Sequence, residues 1–421
     1  MRGAMTTKTV TEREVVRLRS LARRVSDIAG LPEQREKIEE WKRHNTLQPG
    51  RPMILCYPEG AWSELIPDSV YECRSALARR WEAGLVMRIY YHEHIPDDTV
   101  ITDTIDVPDH IHGSGNGVTE HSVTSEGFKK GACHFEPVIR NMDDLAVMHP
   151  ETYTLDEEAT RSHCDLAREI FGEILHVRRR TVDRWRFAFT KPMVKLIGVE
   201  NTYLNMYDNP ELLHGFCRIM AESYRNKLEF FRGHALFCSG NGNDRVGSGG
   251  IAWTDELSRN GSSNGKVFTS KNVWAYGEAQ ELSSVSAEMF NEFAFQYQVP
   301  LLREFGLSCY GCCEPPDDKW PLLEQIPNLR RVSISPWANQ DLAAEACRHR
   351  YVFSRKPNPA MLAMDGFDEA AIRSDIRTTL KTARGCNVEF VMKDTHTVRN
   401  KPERIRRWAE LARREINSWD A

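Results

Sequence analysis

The chain has 421 residues, of which 41% are hydrophobic, enough to bury a large core in one domain or two smaller ones. Its 60 acidic and 56 basic residues give a net charge of -4, without the basic excess of a nucleic-acid binder. No apolar run approaches the roughly 18–20 residues that span a bilayer, so neither nucleic acid nor membrane is an expected partner. The polar, charged start (Met1 to Val16) carries no secretory core. The 11 cysteines in a chain this long then read as reduced thiols, and a cytoplasmic location is expected.

From about Thr9 to Arg43, apolar positions recur at helical spacing (Val15, Leu18, Leu21, Val25, Ile28) and break near Gly30-Leu31-Pro32. This predicts a helical N-terminal extension over residues 1–45, lying against a larger body over residues 46–421. Arg51 to Pro58 is the first strand signal, followed by Glu59 and Trp62, a carboxylate and an aromatic at a predicted strand end. Ile105 to Phe135 is rich in Gly, His, Ser and Asp and reads as an insertion or a β-ribbon over an active site. Helices are expected at Glu157–Ile174 and Asn209–Phe231, and strands at Phe187–Gly198 and Ala235–Cys238. The glycine-rich segment Cys238 to Gly250 lacks the lysine of a phosphate loop. It reads as a polar, substrate-facing loop in which Asn241, Asn243 and Asp244 orient a ligand, or as a structural turn.

In the last third, apolar runs at Gly306–Cys312, Arg331–Ser335, Tyr351–Ser354 and Asn387–Met392 alternate with helical stretches at Lys319–Gln325, Asn339–His349, Asp368–Arg384 and Pro402–Ser418. That alternation implies a parallel sheet, and the short connections favour an α/β fold of the closed (β/α)8 TIM-barrel type over an open sheet. The polar residues cluster where a barrel keeps its chemistry, just after the strands. They are Tyr310-Gly-Cys-Cys-Glu314, Trp337, and Lys393-Asp-Thr-His396. Strand alternation puts Tyr310 and Cys312 on one face and Asp394 and His396 on one face. Thiolate, imidazole and carboxylate suit Zn2+, so Cys312, His396 and Glu314 form a three-ligand candidate with an open position. The same residues also read as buried thiols and a hydrogen-bonded loop histidine. Cys309-x-x-Cys312 reads as a redox pair only outside any thioredoxin-like pattern.

Gly277-Glu-Ala-Gln280 through Ser286-Ala-Glu-Met-Phe-Asn-Glu-Phe293 to Tyr297 resembles the uroporphyrinogen decarboxylase-like superfamily, within it the branch of zinc-dependent, corrinoid-linked methyltransferases. Tyr310 stands where that branch carries a zinc histidine, Cys312 where it carries a cysteine, and His396 where its last zinc cysteine falls. Ala287 replaces the usual proline. Pro58-Glu-Gly-Ala-Trp62 replaces the arginine-bearing segment with which the decarboxylases grip carboxylates. The resemblance implies a (β/α) barrel and a methyltransferase that moves a methyl group between a small methylated compound, a methyl ether (O-demethylation), and a corrinoid (cobalamin-type) cofactor. The cofactor would be carried by a separate corrinoid protein, since no corrinoid-binding D-x-H-x-x-G segment is present. Glu314, Asp394 and Tyr310 are then the catalytic candidates. Glu59, Trp62, Asn241, Asp244, Glu278 and Trp337 are the substrate-binding candidates, Zn2+ is the expected metal, and a homodimer is compatible with the sequence. The rival readings are a decarboxylase of a small acid that uses Arg245, Arg355 or Arg399, and a non-catalytic corrinoid- or ligand-binding barrel.

Overall fold

The computed structural model describes residues 10–124, 133–181, 183–257 and 267–419. Two helices open the chain, α1 (Glu12–Ala29) and α2 (Pro32–Asn45). α1 starts at a capping box in which the Thr11 hydroxyl accepts from the Glu14 amide while the Glu14 carboxylate accepts from the Thr11 amide. Its buried stripe of Leu18, Leu21, Ala22, Val25 and Ile28 packs against α3 (Ala76–His94).

Seven parallel strands form the main sheet: β1 (Met53–Cys56), β2 (Arg186–Phe187), β3 (Trp274–Gly277), β4 (Leu307–Tyr310), β5 (Leu329–Ile334), β6 (Val352–Arg355) and β7 (Asn387–Met392). Their spatial order is β1-β7-β6-β5-β4-β3-β2, every neighbour parallel. Consecutive strands are thus neighbours and the first strand pairs with the last, the winding order of a (β/α) barrel rather than of a doubly wound sheet. Among the described residues β1 and β2 do not pair with each other. At that seam the Asp98 carboxylate accepts from the Ile54 amide and the Asp97 carboxylate from the Cys56 amide, both at 2.8 Å. A separate parallel pair, Thr104–Val107 with His176–Arg179, continues from there.

Each strand separates two environments. Ile54, Val332, Ile334, Phe353, Phe390 and Met392 face outward into the large apolar cluster shared with the helices. The alternate positions face inward, where Trp274, Tyr276, Leu307 and Cys309 form one cluster and Met53, Leu55 and Val391 another. Charged residues lie between these clusters. The Glu389 carboxylate accepts from the Arg331 guanidinium at 3.1 Å, lies 3.2 Å from His44 Nε2, and also accepts from the Ser354 hydroxyl. All four side chains are buried.

Several sequence expectations are corrected. Of Phe187–Gly198 only the first residue is strand. Thr190–Ile197 is a helix that buries Thr190, Met193, Val194 and Ile197 at helical spacing and stops at Gly198. Ala235–Cys238 follows a long helix (Pro210–Gly233) and is not a strand, because Ala235 takes φ +53 as the chain turns to bury Leu236 and Phe237. Lys319–Gln325 shortens to one turn, Trp320–Leu323. The insertion contains an antiparallel ribbon, His121–Thr124 with Cys133–Glu136, whose residues 125–132 lie outside the described ones. No helix among the described residues is long and apolar enough to cross a membrane.

Candidate active site

The inward positions of β7 run Glu389, Val391, and so by period two to Lys393, the first residue past the strand. On β4 the inward residue is Cys309. Tyr310 faces outward, packed edge-on to Phe290 and Phe295, and its hydroxyl donates to Gln298 Oε1 at 2.6 Å. Gly311 then takes φ +88, a left-handed conformation that suits glycine, and the chain reverses so that Cys312 joins the inward cluster around Cys309. The turn therefore breaks the expected alternation, and Tyr310 and Cys312 lie on opposite faces.

At the mouth these two strand ends meet. Lys393 Nζ lies 3.6 Å from Cys312 Sγ, 3.8 Å from Cys313 Sγ and 2.5 Å from Asp394 Oδ2. The two sulfurs are 3.8 Å apart, and Cys313 Sγ is also 3.8 Å from Asp394 Oδ2. The Cys312 thiol is pulled down to about 5, first by its hydrogen bond with Cys313 and then, against burial, by Lys393, with the Tyr276 hydroxyl adding to the effect. Cys313 moves up, because its partner sulfur holds the negative charge. Burial would lower Lys393, but the two sulfurs and Asp394 together raise it. The cluster is thus a thiolate and an ammonium held together at a strand end.

Glu59 braces this cluster from β1. Its Oε2 accepts from the Asp394 amide at 3.1 Å and its Oε1 from Arg245 Nη1 at 2.9 Å. Glu59 and Asp394 both sit at positive φ, +45 and +56, which fixes the two loops in unusual conformations at their point of contact. Arg245 stacks on the Tyr57 ring, 3.9 Å from its centroid. Glu278, fully buried after β3, accepts from Arg186 Nε at 3.0 Å, and burial raises its carboxyl in spite of that arginine.

Glu314 is buried behind the cluster. Its two oxygens accept from the Ala279 amide (2.9 Å) and the Cys312 amide (2.8 Å), so it fixes the Gly311–Glu314 turn. Burial, and then Glu278, push its carboxyl up to about 8. His396 is exposed, and its ring lies against Gly60. Among the described residues no group of three or more His, Cys, Asp or Glu is placed to hold a metal ion. Cys312, His396 and Glu314 make separate contacts, and as placed they do not fit a zinc ion.

The other sequence candidates fall away from this cluster. Trp62 packs edge-on to Tyr90 and Tyr91. Trp337 is 69% exposed beyond β5. Asn241 Oδ1 accepts from the Thr254 amide, Asn243 donates to the Val100 carbonyl, and Asp244 pairs with Arg180 at 2.8 Å. These contacts hold the loop in place. It threads into the sheet's inner face, where a Cβ on Gly249 would come within 2.6 Å of Val391 and one on Gly250 within 2.5 Å of Arg331. Its glycines answer a close backbone approach and not a phosphate. Sequence reasoning missed Lys393, Cys313, Tyr276 and Arg186 as site residues. Counting by two from Glu389 would have found Lys393.

No protein-family model matches the chain, and no curated protein matches it. Among the solved structures that do match is a methyltransferase from Methanosarcina mazei, with 11% identity, a TM-score of 0.46, and 90% of this chain and 98% of that chain covered.

Proposed function

We propose that the chain is a methyltransferase that takes a methyl group from a small methylated compound, a methyl ether, and passes it to a corrinoid carried by a separate protein. The observation that carries this reading is the Lys393–Cys312 contact of 3.6 Å at the strand-end mouth. It supplements the resemblance of the Gly277–Tyr297 segment and the (β/α) winding order. Bound in its reduced form, the corrinoid supplies a cobalt nucleophile for the methyl carbon.

The chain's own task is then to accept the departing oxygen. As the carbon–oxygen bond breaks, its electron pair stays on oxygen, and the Lys393 ammonium meets that charge and delivers a proton. The Cys312 thiolate and Asp394 keep Lys393 protonated until that moment. Glu59 and Glu314 are positioning residues: one holds the Asp394 loop and the other the Cys312 turn. No step requires zinc. A decarboxylase of a small acid is the second reading, favoured by the placement of Arg245 and Arg186 around the same mouth.

The test is incubation of the purified chain with cob(I)alamin and a panel of methyl ethers, following methylcobalamin by absorbance. Methyl transfer that falls by two orders of magnitude or so in Lys393→Met, with the fold intact by circular dichroism, is the expected result. Carbon dioxide release from an acid in the panel without methyl transfer would replace this reading with the second one. A wild type inert across the panel, with cobalamin or a cognate corrinoid protein supplied, would end it.

A further inference from the structure

Cys312 and Cys313 are consecutive residues whose sulfurs stand 3.8 Å apart at the strand-end mouth. Cys313 is exposed and Cys312 half-buried, so the pair opens to solvent. Cys309, the third cysteine of this segment, is buried, with Arg331 Nη1 3.7 Å from its sulfur. The backbone at Cys312 is held on both sides. Its amide donates to Glu314 Oε2 and its carbonyl accepts from the Ser333 hydroxyl, each at 2.8 Å. This pinned turn keeps both sulfurs at one opening. Closing them to the roughly 2.05 Å of a disulfide asks for a shift of about 1.7 Å, shared between the two residues. Lys393 Nζ, 3.6 Å from one sulfur and 3.8 Å from the other, favours the thiolate, which is the form that oxidants attack.

We infer that Cys312 and Cys313 form a reversible thiol–disulfide pair that a hydroperoxide oxidises. In the first step the Cys312 thiolate attacks the peroxide: a sulfur–oxygen bond forms, the oxygen–oxygen bond breaks, and the leaving oxygen takes a proton from the Lys393 ammonium. In the second step the Cys313 sulfur attacks the Cys312 sulfenic acid. A sulfur–sulfur bond forms, and the hydroxyl leaves as water with the Cys313 proton. The two sulfurs give up two electrons in all, the hydroperoxide is reduced to an alcohol and water, and Lys393 regains its proton from solvent. Adjacent Cα atoms lie about 3.8 Å apart, below the span of ordinary disulfides, so a dithiol reopens such a bond readily. Closure also removes the thiolate that faces Lys393 and leaves Asp394 beside it. On the methyl-transfer reading, on which this last consequence alone rests, oxidation of the pair lowers turnover.

The experiment exposes the reduced full chain to a slight molar excess of hydrogen peroxide, with or without dimedone as a sulfenic-acid trap, and then blocks free thiols with N-ethylmaleimide. Mass spectrometry of the tryptic peptide Glu304–Lys319, which carries Cys309, Cys312 and Cys313, is the readout. In wild type the peptide is expected to lose two hydrogens and two maleimide sites, both recovered with dithiothreitol, and Cys309→Ser should behave alike. Cys313→Ser lacks the resolving sulfur and should accumulate about tenfold or more dimedone adduct on Cys312 than wild type. A wild type that keeps all three maleimide sites, equal adduct in wild type and Cys313→Ser, or loss of the disulfide in Cys309→Ser would each overturn the inference. Because mass and not turnover is read, a disulfide in a chain inert toward methyl ethers would leave this pair standing and remove the methyl-transfer reading. Methyl transfer by a chain whose pair never closes would do the reverse.

Discussion

Lys393 Nζ lies 3.6 Å from Cys312 Sγ, two groups brought together from strands that are not neighbours in the sheet. A thiolate beside an ammonium should alkylate at pH values where a free cysteine is inert. Iodoacetamide labelling of Cys312, followed by peptide mass spectrometry from pH 4 to 9, is expected to titrate near 5 in the wild type. Lys393→Met removes one of the groups that hold the charge, so the midpoint should rise by about one unit or more, while Lys393→Arg keeps it low. An unchanged midpoint in Lys393→Met would mean that Cys313 alone sets the thiol.

Glu314 is assigned a structural task, which gives a distinct expectation. Glu314→Ala leaves the Ala279 and Cys312 amides without their acceptors. A cost of about 1–3 kcal/mol per buried unsatisfied group follows, read as a lower urea midpoint. A ligand-type role would instead leave stability nearly unchanged and alter metal content.

Metal content is its own test. Cys312, His396 and Glu314 reach different partners, so the purified, reduced chain is expected to hold no stoichiometric zinc by mass spectrometry. Cys312→Ala and His396→Ala should not differ from wild type in this. One zinc per chain, lost in both variants, would mean that the two loops rearrange around the ion.

The regular strands and helices of the last third were legible because their apolar runs are bounded by helix-start and helix-stop residues. β7, Asn387–Met392, falls on the residues expected for it. β3, Trp274–Gly277, escaped notice because its four residues are an aromatic, an alanine, an aromatic and a glycine, with no aliphatic run. The site was legible as two loops but not as a set of contacts. Periodicity extrapolates through a strand, and it fails at Gly311, where a left-handed residue turns Cys312 to the face opposite Tyr310. The Cys238–Gly250 segment reads either as a substrate-facing loop or as a structural turn, and the close approach of Gly249 to Val391 and of Gly250 to Arg331 is a use of its glycines that the sequence does not announce. No local pattern distinguishes these two uses.

The buried ions of the inner face also carry a stability prediction. Glu389 is held well below the ordinary carboxylate range: burial opposes its charge, but Arg331 and His44 outweigh it. Glu389→Ala strands Arg331 in the interior and should cost about 3–5 kcal/mol by urea unfolding. A loss under about 1 kcal/mol would show that Arg331 finds another acceptor, with Asn45 Oδ1 already 2.6 Å away.

Lys356 offers the sharpest pH dependence. It is buried on the inner face, its Nζ donating to the Ser354 carbonyl at 3.1 Å, and burial lowers it from 10.5 to about 7 in spite of Glu389. The folded state therefore resists its protonation while the unfolded chain does not. Above pH 10.5 the lysine is neutral in both states and costs nothing. As pH falls through the window from 10.5 toward 7, the unfolded chain takes up the proton first and stability is lost, with the penalty complete below 7. Lys356→Met removes the titration. Its stability relative to wild type should therefore rise as pH falls from 10 to 7, by roughly 3–4 kcal/mol, while the lost hydrogen bonds add only a pH-independent offset. Urea unfolding of both proteins across that range decides it. A difference independent of pH would show that Lys356 stays charged in the fold, with Glu389 as its counterion.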